Sequence, residues 1–154
     1  MLSHRKSGLF NNILIVCTGN ICRSPMAEVF LRAALTQSGK TGHTVSSAGL
    51  GALPGHQADP AVHQLMAETG LDISTHRARQ ITDDMIHRAD IILVMETWQK
   101  TAIEARTPSA KGKVFRLGEW EKIDISDPYK KNLCAFKHAM MLIEQGVSQW
   151  VAKL

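Results

Sequence analysis

At 154 residues with 44% apolar side chains, the chain is long enough to bury one full core and too short for a second domain. Three cysteines are too few, and odd in number, for a secreted disulfide framework; no stretch of about 18 apolar residues could span a membrane; and His4, Arg5 and Lys6 near the start precede no apolar signal core, so a cytoplasmic protein without membrane insertion is expected. The net charge of +4 is spread without a basic run or interleaved aromatics, which reads as solvated surface rather than a nucleic-acid face, while a mild positive field still attracts a phosphorylated, acidic substrate.

In chain order, the apolar run Asn12–Val16 predicts a buried parallel strand. Ser24 and Pro25 then predict a helix start, Ser as N-cap and Pro at the first helical position, with Met26, Val29, Phe30, Ala33 and Ala34 on one face and Gly39 as the stop. A strand follows near Thr44–Ala48. Asp59 and Pro60 open a helix carrying Ala61, Val62, Leu65 and Met66 inward and ending at Gly70. Ile91–Met95 reads as a second central strand, Thr101–Ala105 as part of a helix, and Val114–Leu117 as a last strand. Leu133, Phe136, Met140, Ile143, Val147 and Trp150 recur every three or four positions and predict a long terminal helix, interrupted only by Gly146; Cys134 on it is assigned to core packing. Strands alternating with helices imply a single α/β domain, a four-stranded parallel sheet with helices on both faces and right-handed crossovers.

The most telling segment is C-T-G-N-I-C-R-S-P, Cys17 to Pro25, between the first strand and the first helix. A loop in that position turns its free N–H groups and the positive end of the helix toward one spot, which suits phosphate or another oxyanion. Arg23 adds a planar fork able to hold two phosphate oxygens at once. Cys17, at the strand end inside this field, is placed where a thiolate is favoured, and the thiolate is the attacking form. Ser24 is close enough in sequence to donate to that sulfur. In a sheet of this kind ligands bind beyond the carboxyl ends of the strands, where Cys17 lies. A metal site on Cys17 and Cys22 does not fit, because no paired Cys or His at zinc-like spacing is present and Arg23 would repel the ion; no cofactor is expected.

The string C-T-G-N-I-C-R-S-P-M-A-E, with D-P-Y at Asp127, Pro128 and Tyr129 far downstream, resembles the low-molecular-weight protein tyrosine phosphatases. S-S-A-G at Ser46–Gly49, H-R-A-R-Q at His76–Gln80 and D-I-I-L-V-M at Asp90–Met95 fall in the same order, so the resemblance assigns residues 10–154 to one phosphatase domain and leaves Met1–Leu9 as an N-terminal extension, expected to be flexible. It implies Cys17 as nucleophile, Arg23 as the phosphate-binding cation and Asp127 as general acid, a role phenolate departure requires. Asp124, three residues away, is the competing carboxylate. The resemblance further implies a phosphate loop of Thr18, Gly19, Asn20, Ile21, Cys22 and Ser24, with Leu53 and Tyr129 as walls for the substrate ring. Asn20, Ser47 and His76 match positions that hold the loop in shape, and Cys22 matches a cysteine that closes a disulfide with the nucleophile under oxidation. Leu53 stands where animal members often carry an aromatic, and Lys130 replaces the second tyrosine of their D-P-Y-Y loops; both features look bacterial. The implied substrate is a phosphotyrosine protein, and the implied partner a cognate bacterial tyrosine kinase of capsule or exopolysaccharide export. Three rivals are a phosphoarginine phosphatase, an arsenate reductase, which needs further cysteines for its relay, and a non-catalytic phosphotyrosine-binding module.

Overall fold

The run expected as the first strand is β1, Asn12–Cys17, and it lies inside a parallel sheet between β2, Thr44–Gly49, and β3, Ile91–Val94; β4, Val114–Arg116, completes the order β2-β1-β3-β4. These coordinates come from a computed structural model that describes residues 10–154; the expected extension Met1–Leu9 lies outside the described residues. The helices are α1, Arg23–Gln37; α2, Pro60–Ala67; α3, Asp83–Arg88; α4, Thr97–Arg106; and α5, Leu133–Val151.

Both faces of the central strands are buried, and their period-2 alternation divides the core in two. Ile13, Ile15 and Cys17 of β1, with Ile91 and Leu93 of β3, pack with Met26 and Leu31 of α1, Leu65 of α2 and Phe136 and Ile143 of α5. Leu14, Val16, Ile92 and Val94 face the other way, against Ile86 of α3 and Ile103 of α4. Helices therefore cover both sides, as the alternating pattern predicts.

Element ends differ from expectation where side chains have other work. Helix α1 begins at Arg23 with Cys22 as an N-cap that makes no side-chain capping bond, so Ser24 and Pro25 lie in the first turn rather than at the cap and first position. Pro25 costs nothing there, because first-turn amides have no intrahelical acceptor, and the Ser24 hydroxyl is engaged elsewhere, as described below. At the other end Gly39, at φ +71°, donates to Thr36 C=O while Lys40 N–H donates to Leu35 C=O, a Schellman stop. Helix α2 ends at Ala67, three residues before Gly70. Helix α4, of which Thr101–Ala105 is the expected part, begins at Thr97, where Gln99 Oε1 reaches back to accept from the N–H of the N-cap Glu96. Helix α3, with one buried residue, Ile86, carries too short a pattern to be read from sequence.

In α5 the buried stripe is Phe136, Ala139, Ile143, Gly146, Val147 and Trp150, with Val151 beside it. Cys134 falls off this stripe and is exposed, which corrects its assignment to the core. A β-carbon at Gly146 would come within 2.8 Å of Leu117 C=O, so glycine lets α5 lie against the end of β4, where Trp150 Nε1 donates to Arg116 and Leu117 C=O at 3.2 and 3.1 Å. Among the described residues no helix is long and apolar enough to cross a membrane.

Candidate active site

Beyond the carboxyl end of β1, five consecutive peptide carbonyls are tied away from the loop's interior. Cys17, Thr18 and Gly19 C=O accept from the amides of Leu50, Gly51 and Leu53 at 3.0, 3.0 and 3.2 Å; Asn20 C=O accepts from His76 Nε2 at 2.6 Å; Ile21 C=O accepts from Asp59 N–H at 2.9 Å. All these peptides are trans. In a trans peptide the N–H points opposite to its C=O, so the amides of Thr18, Gly19, Asn20, Ile21 and Cys22 converge on the inner side, followed by the first turn of α1. The row is an anion-binding concavity built from backbone alone. His76 must carry its proton on Nε2, since a carbonyl can only accept.

The loop turns at Asn20, whose backbone sits at φ +60°, a conformation asparagine tolerates better than most residues. Its side chain is fully buried and fully used: Nδ2 donates to Ser24 Oγ at 2.7 Å and to Ser47 Oγ at 3.0 Å, and Oδ1 accepts from Arg79 N–H at 2.9 Å. Ser47 Oγ in turn donates to Glu28 Oε1 at 2.6 Å, and Glu28 is held by Arg32. Ser24 Oγ accepts from Asn20 and has its own hydrogen available for Cys17 Sγ, 2.9 Å away, and Ser24 N–H also faces that sulfur at 3.4 Å. Two donors aimed at one sulfur stabilise negative charge on it.

Arg23 is 1% exposed. Its Nη1 is clamped by Glu96 Oε2 at 2.5 Å and Ile125 C=O at 2.7 Å, Nη2 lies 3.6 Å from Asp127 Oδ2, and Nε, though buried, has no hydrogen-bond partner among the described residues. A buried guanidinium N–H without an acceptor is costly, and here it belongs to a residue that lines the cleft. That cleft, about 150 Å³, is bounded by Cys17, Thr18, Gly19, Ile21, Cys22 and Arg23 on the loop, by Gly51 and Leu53 after β2, and by Asp127 and Tyr129. Asp127 Oδ1 accepts from Tyr129 N–H at 3.1 Å, leaving Oδ2 toward Arg23. Asp124 does not line the cleft. Its Oδ1 accepts from Thr97 N–H and Oγ1 and from Arg116 Nη1; partial burial raises its pKa, but these donors and the Arg116 charge outweigh that and hold the carboxyl below its usual range.

The fold thus brings together all the predicted site residues, in two shells: Ser24, Asn20, Ser47 and His76 behind the loop, the others at the cleft. Cys22 is 3% exposed, and burial first, then the charges of Asp59 and Cys17, push its thiol well above the ordinary range. Two supporting residues lie in none of the strings read from sequence: Glu96, which clamps Arg23, and Gln99, whose Oε1 accepts from Met95 and Glu96 N–H while Nε2 donates to Thr18 Oγ1 at 3.2 Å; two more, Arg79 and Glu28, lie inside H-R-A-R-Q and C-T-G-N-I-C-R-S-P-M-A-E but carry no predicted role there. Gly49 closes the arrangement from behind. A β-carbon there would lie 2.4 Å from Thr18 C=O, so only glycine lets β2 approach the loop so closely.

Comparison with known proteins bears on this geometry. The family profile described as low molecular weight phosphotyrosine protein phosphatase matches residues 12–154. The probable low molecular weight protein-tyrosine-phosphatase EpsP of Ralstonia solanacearum is 52% identical over 146 residues, covering 95% of this chain and 97% of that one. Among solved structures, Vibrio vulnificus Wzb in complex with benzylphosphonate superposes with a TM-score of 0.87 at 38% identity, covering 94% of this chain and 99% of that one. The YwlE arginine phosphatase from Geobacillus stearothermophilus superposes with a TM-score of 0.84 at 32% identity, over 93% and 92% of the two chains.

Proposed function

The chain belongs to the low molecular weight phosphotyrosine protein phosphatase family and is a protein-tyrosine-phosphatase, and on that premise we propose how its residues divide the reaction. Cys17 attacks phosphorus in line with the leaving oxygen and forms a phosphocysteine. The amides of Thr18 to Cys22 and the Nε and Nη2 of Arg23 hold the equatorial oxygens as charge builds on them. Asp127 Oδ2 gives its proton to the departing phenolate, then takes one from the water that hydrolyses the phosphocysteine. Ser24, donating to the sulfur, eases its departure in that second step. Leu53 and Tyr129 flank the substrate ring. Cys22 traps the oxidised nucleophile as a disulfide, slowly, because a thiol held protonated is a weak attacker.

The observation that carries this reading is the row of outward-tied carbonyls around Cys17, beside an Arg23 Nε that has no acceptor among the described residues. Turnover of p-nitrophenyl phosphate and of a phosphotyrosine peptide, both undiminished in excess EDTA, tests it; dependence on an added metal would overturn it.

We assign the physiological substrate to a phosphotyrosine protein of the cytoplasm, a bacterial tyrosine autokinase serving capsule or exopolysaccharide export. The support is the likeness to the bacterial EpsP and Wzb phosphatases. The likeness to an arginine phosphatase keeps phosphoarginine as the second reading, and Ile21 weighs against it. Ile21 is 7% exposed and lines the cleft. Its apolar surface suits an aryl ring and offers a phosphoguanidinium no hydrogen bond.

A further inference from the structure

At the mouth of the cleft the chain makes a turn in which Lys131 N–H donates to Pro128 C=O at 2.8 Å. Its third residue, Lys130, has φ +64°, a left-handed backbone that glycine or asparagine adopts at little cost and that strains a longer side chain. A strained residue persists only where the surroundings or a function hold it. The strain here presents a charge. Lys130 Nζ lies 5.5 Å from the centroid of the Tyr129 ring, and Tyr129 is 40% exposed and lines the Cys17 cleft. Among the described residues no carboxylate lies within ion-pair distance of Lys130; the same holds for the other described lysines, and what sets Lys130 apart is its place beside the Tyr129 ring at the cleft. An uncompensated cation thus stands within a Debye length of the ring that borders the entrance.

We propose that Lys130 is a specificity-determining residue that selects phosphotyrosine accompanied by an anionic group nearby in the same chain, either a carboxylate or a second phosphate. The inference rests on the phosphotyrosine-phosphatase reading and deepens it. The phosphoryl group and ring occupy the cleft, where a loop of amides and Arg23 are indifferent to sequence. Substrate residues that leave the cleft over the Tyr129 edge meet the Lys130 charge, while the Asp127 carboxylate beside it is turned toward Arg23. The attraction acts across solvent, so its size is that of an exposed ion pair, about two- to fivefold in kcat/KM, and it weakens with salt.

The test compares kcat/KM for phosphotyrosine peptides flanked by Glu, by a second phosphotyrosine, by Ala or by Lys, in low and high salt. The proteins are the parent chain, Lys130→Asn, which removes the charge with a residue suited to the left-handed turn, Lys130→Arg, which keeps it, and Lys130→Glu, which inverts it. The parent and Lys130→Arg should prefer both anionic peptides over Ala about two- to fivefold in low salt. The margin should vanish in Lys130→Asn, reverse in Lys130→Glu and shrink in high salt. If only one of the two anionic peptides shows the preference, that one identifies the group selected. An equal ranking of peptides in parent and Lys130→Asn overturns the proposal while leaving the phosphatase intact. Failure of the parent to release phosphate from any peptide overturns the phosphatase reading itself.

Discussion

Asn20 is the residue on which the loop's shape depends, and replacing it separates two costs. Asn20→Ala deletes two donations, to Ser24 and Ser47, and one acceptance, from Arg79 N–H, at a site with no solvent exposure. Three such neutral bonds contribute roughly 2 to 4 kcal/mol together, the Arg79 amide bearing most of the loss because a buried donor is left unmet. Alanine at φ +60° adds about 1 kcal/mol of backbone strain that glycine does not. Asn20→Ala should therefore be less stable than the parent by roughly 3 to 5 kcal/mol, and Asn20→Gly by about 1 kcal/mol less than that. Urea unfolding followed by far-ultraviolet circular dichroism measures both. Because Ser24 then loses the partner that orients its hydroxyl toward Cys17, kcat/KM on p-nitrophenyl phosphate should fall at least about tenfold in both variants. A loss under about 0.5 kcal/mol in Asn20→Ala, or an order with Gly the weaker, would refute this account of the loop.

Asp127→Asn should slow phosphotyrosine hydrolysis far more than that of an aryl phosphate whose leaving group needs no proton, whereas Asp124→Asn, which loses only its ties to Thr97 and Arg116, should leave that leaving-group dependence unchanged; steady-state rates on the two substrates decide. With its thiol pushed up by burial, Cys22 should be the slowest of the three cysteines to react with iodoacetamide at neutral pH, by mass mapping, and after mild peroxide the Cys17–Cys22 disulfide should form faster as pH rises. Full recovery of Cys22→Ser with thiol after the same peroxide dose would remove Cys22 from the protective role. Ile21→Thr should shift the ratio of kcat/KM toward phosphoarginine from a parent preference for phosphotyrosine of about 5- to 150-fold, and a parent that favours phosphoarginine would reverse the substrate assignment.

The parts legible in sequence were those written locally. The run Asn12–Val16, the loop from Cys17 to Arg23 and the stripe Phe136–Ile143–Trp150 each carry their signal within a few residues, and the fold follows from their alternation. The misplaced Ser24 cap has a physical cause: a serine before a helix reads as a cap, whereas here the hydroxyl meets Cys17, as its place in the sequence allows, and is held by Asn20, which only the folded loop reveals. Cys134 was misread although the spacing of Phe136, Ala139 and Ile143 already sets it off the buried face. Glu96 and Gln99 act on the loop across 73 and 81 residues of sequence, with no spacing rule to expose them, while Arg79, which reaches Asn20 across 59 residues, and Glu28, which holds Ser47 across 19, lie in strings that carry the resemblance but whose contacts only the fold shows. The need for glycine at position 49 arises from a single close approach to Thr18 and is visible only in three dimensions.

The central claim is that the phosphoryl group passes through Cys17, and a rapid denaturing quench of Asp127→Ala turning over p-nitrophenyl phosphate tests it most directly. This leaving group departs without a proton, so the phosphoenzyme still forms, while loss of the base slows its hydrolysis and lets it accumulate. Peptide mapping should find the phosphoryl group on the segment carrying Cys17, and Cys17→Ser should yield neither that adduct nor turnover. A phosphoryl group on any other residue, or sustained turnover by Cys17→Ser, would contradict the mechanism.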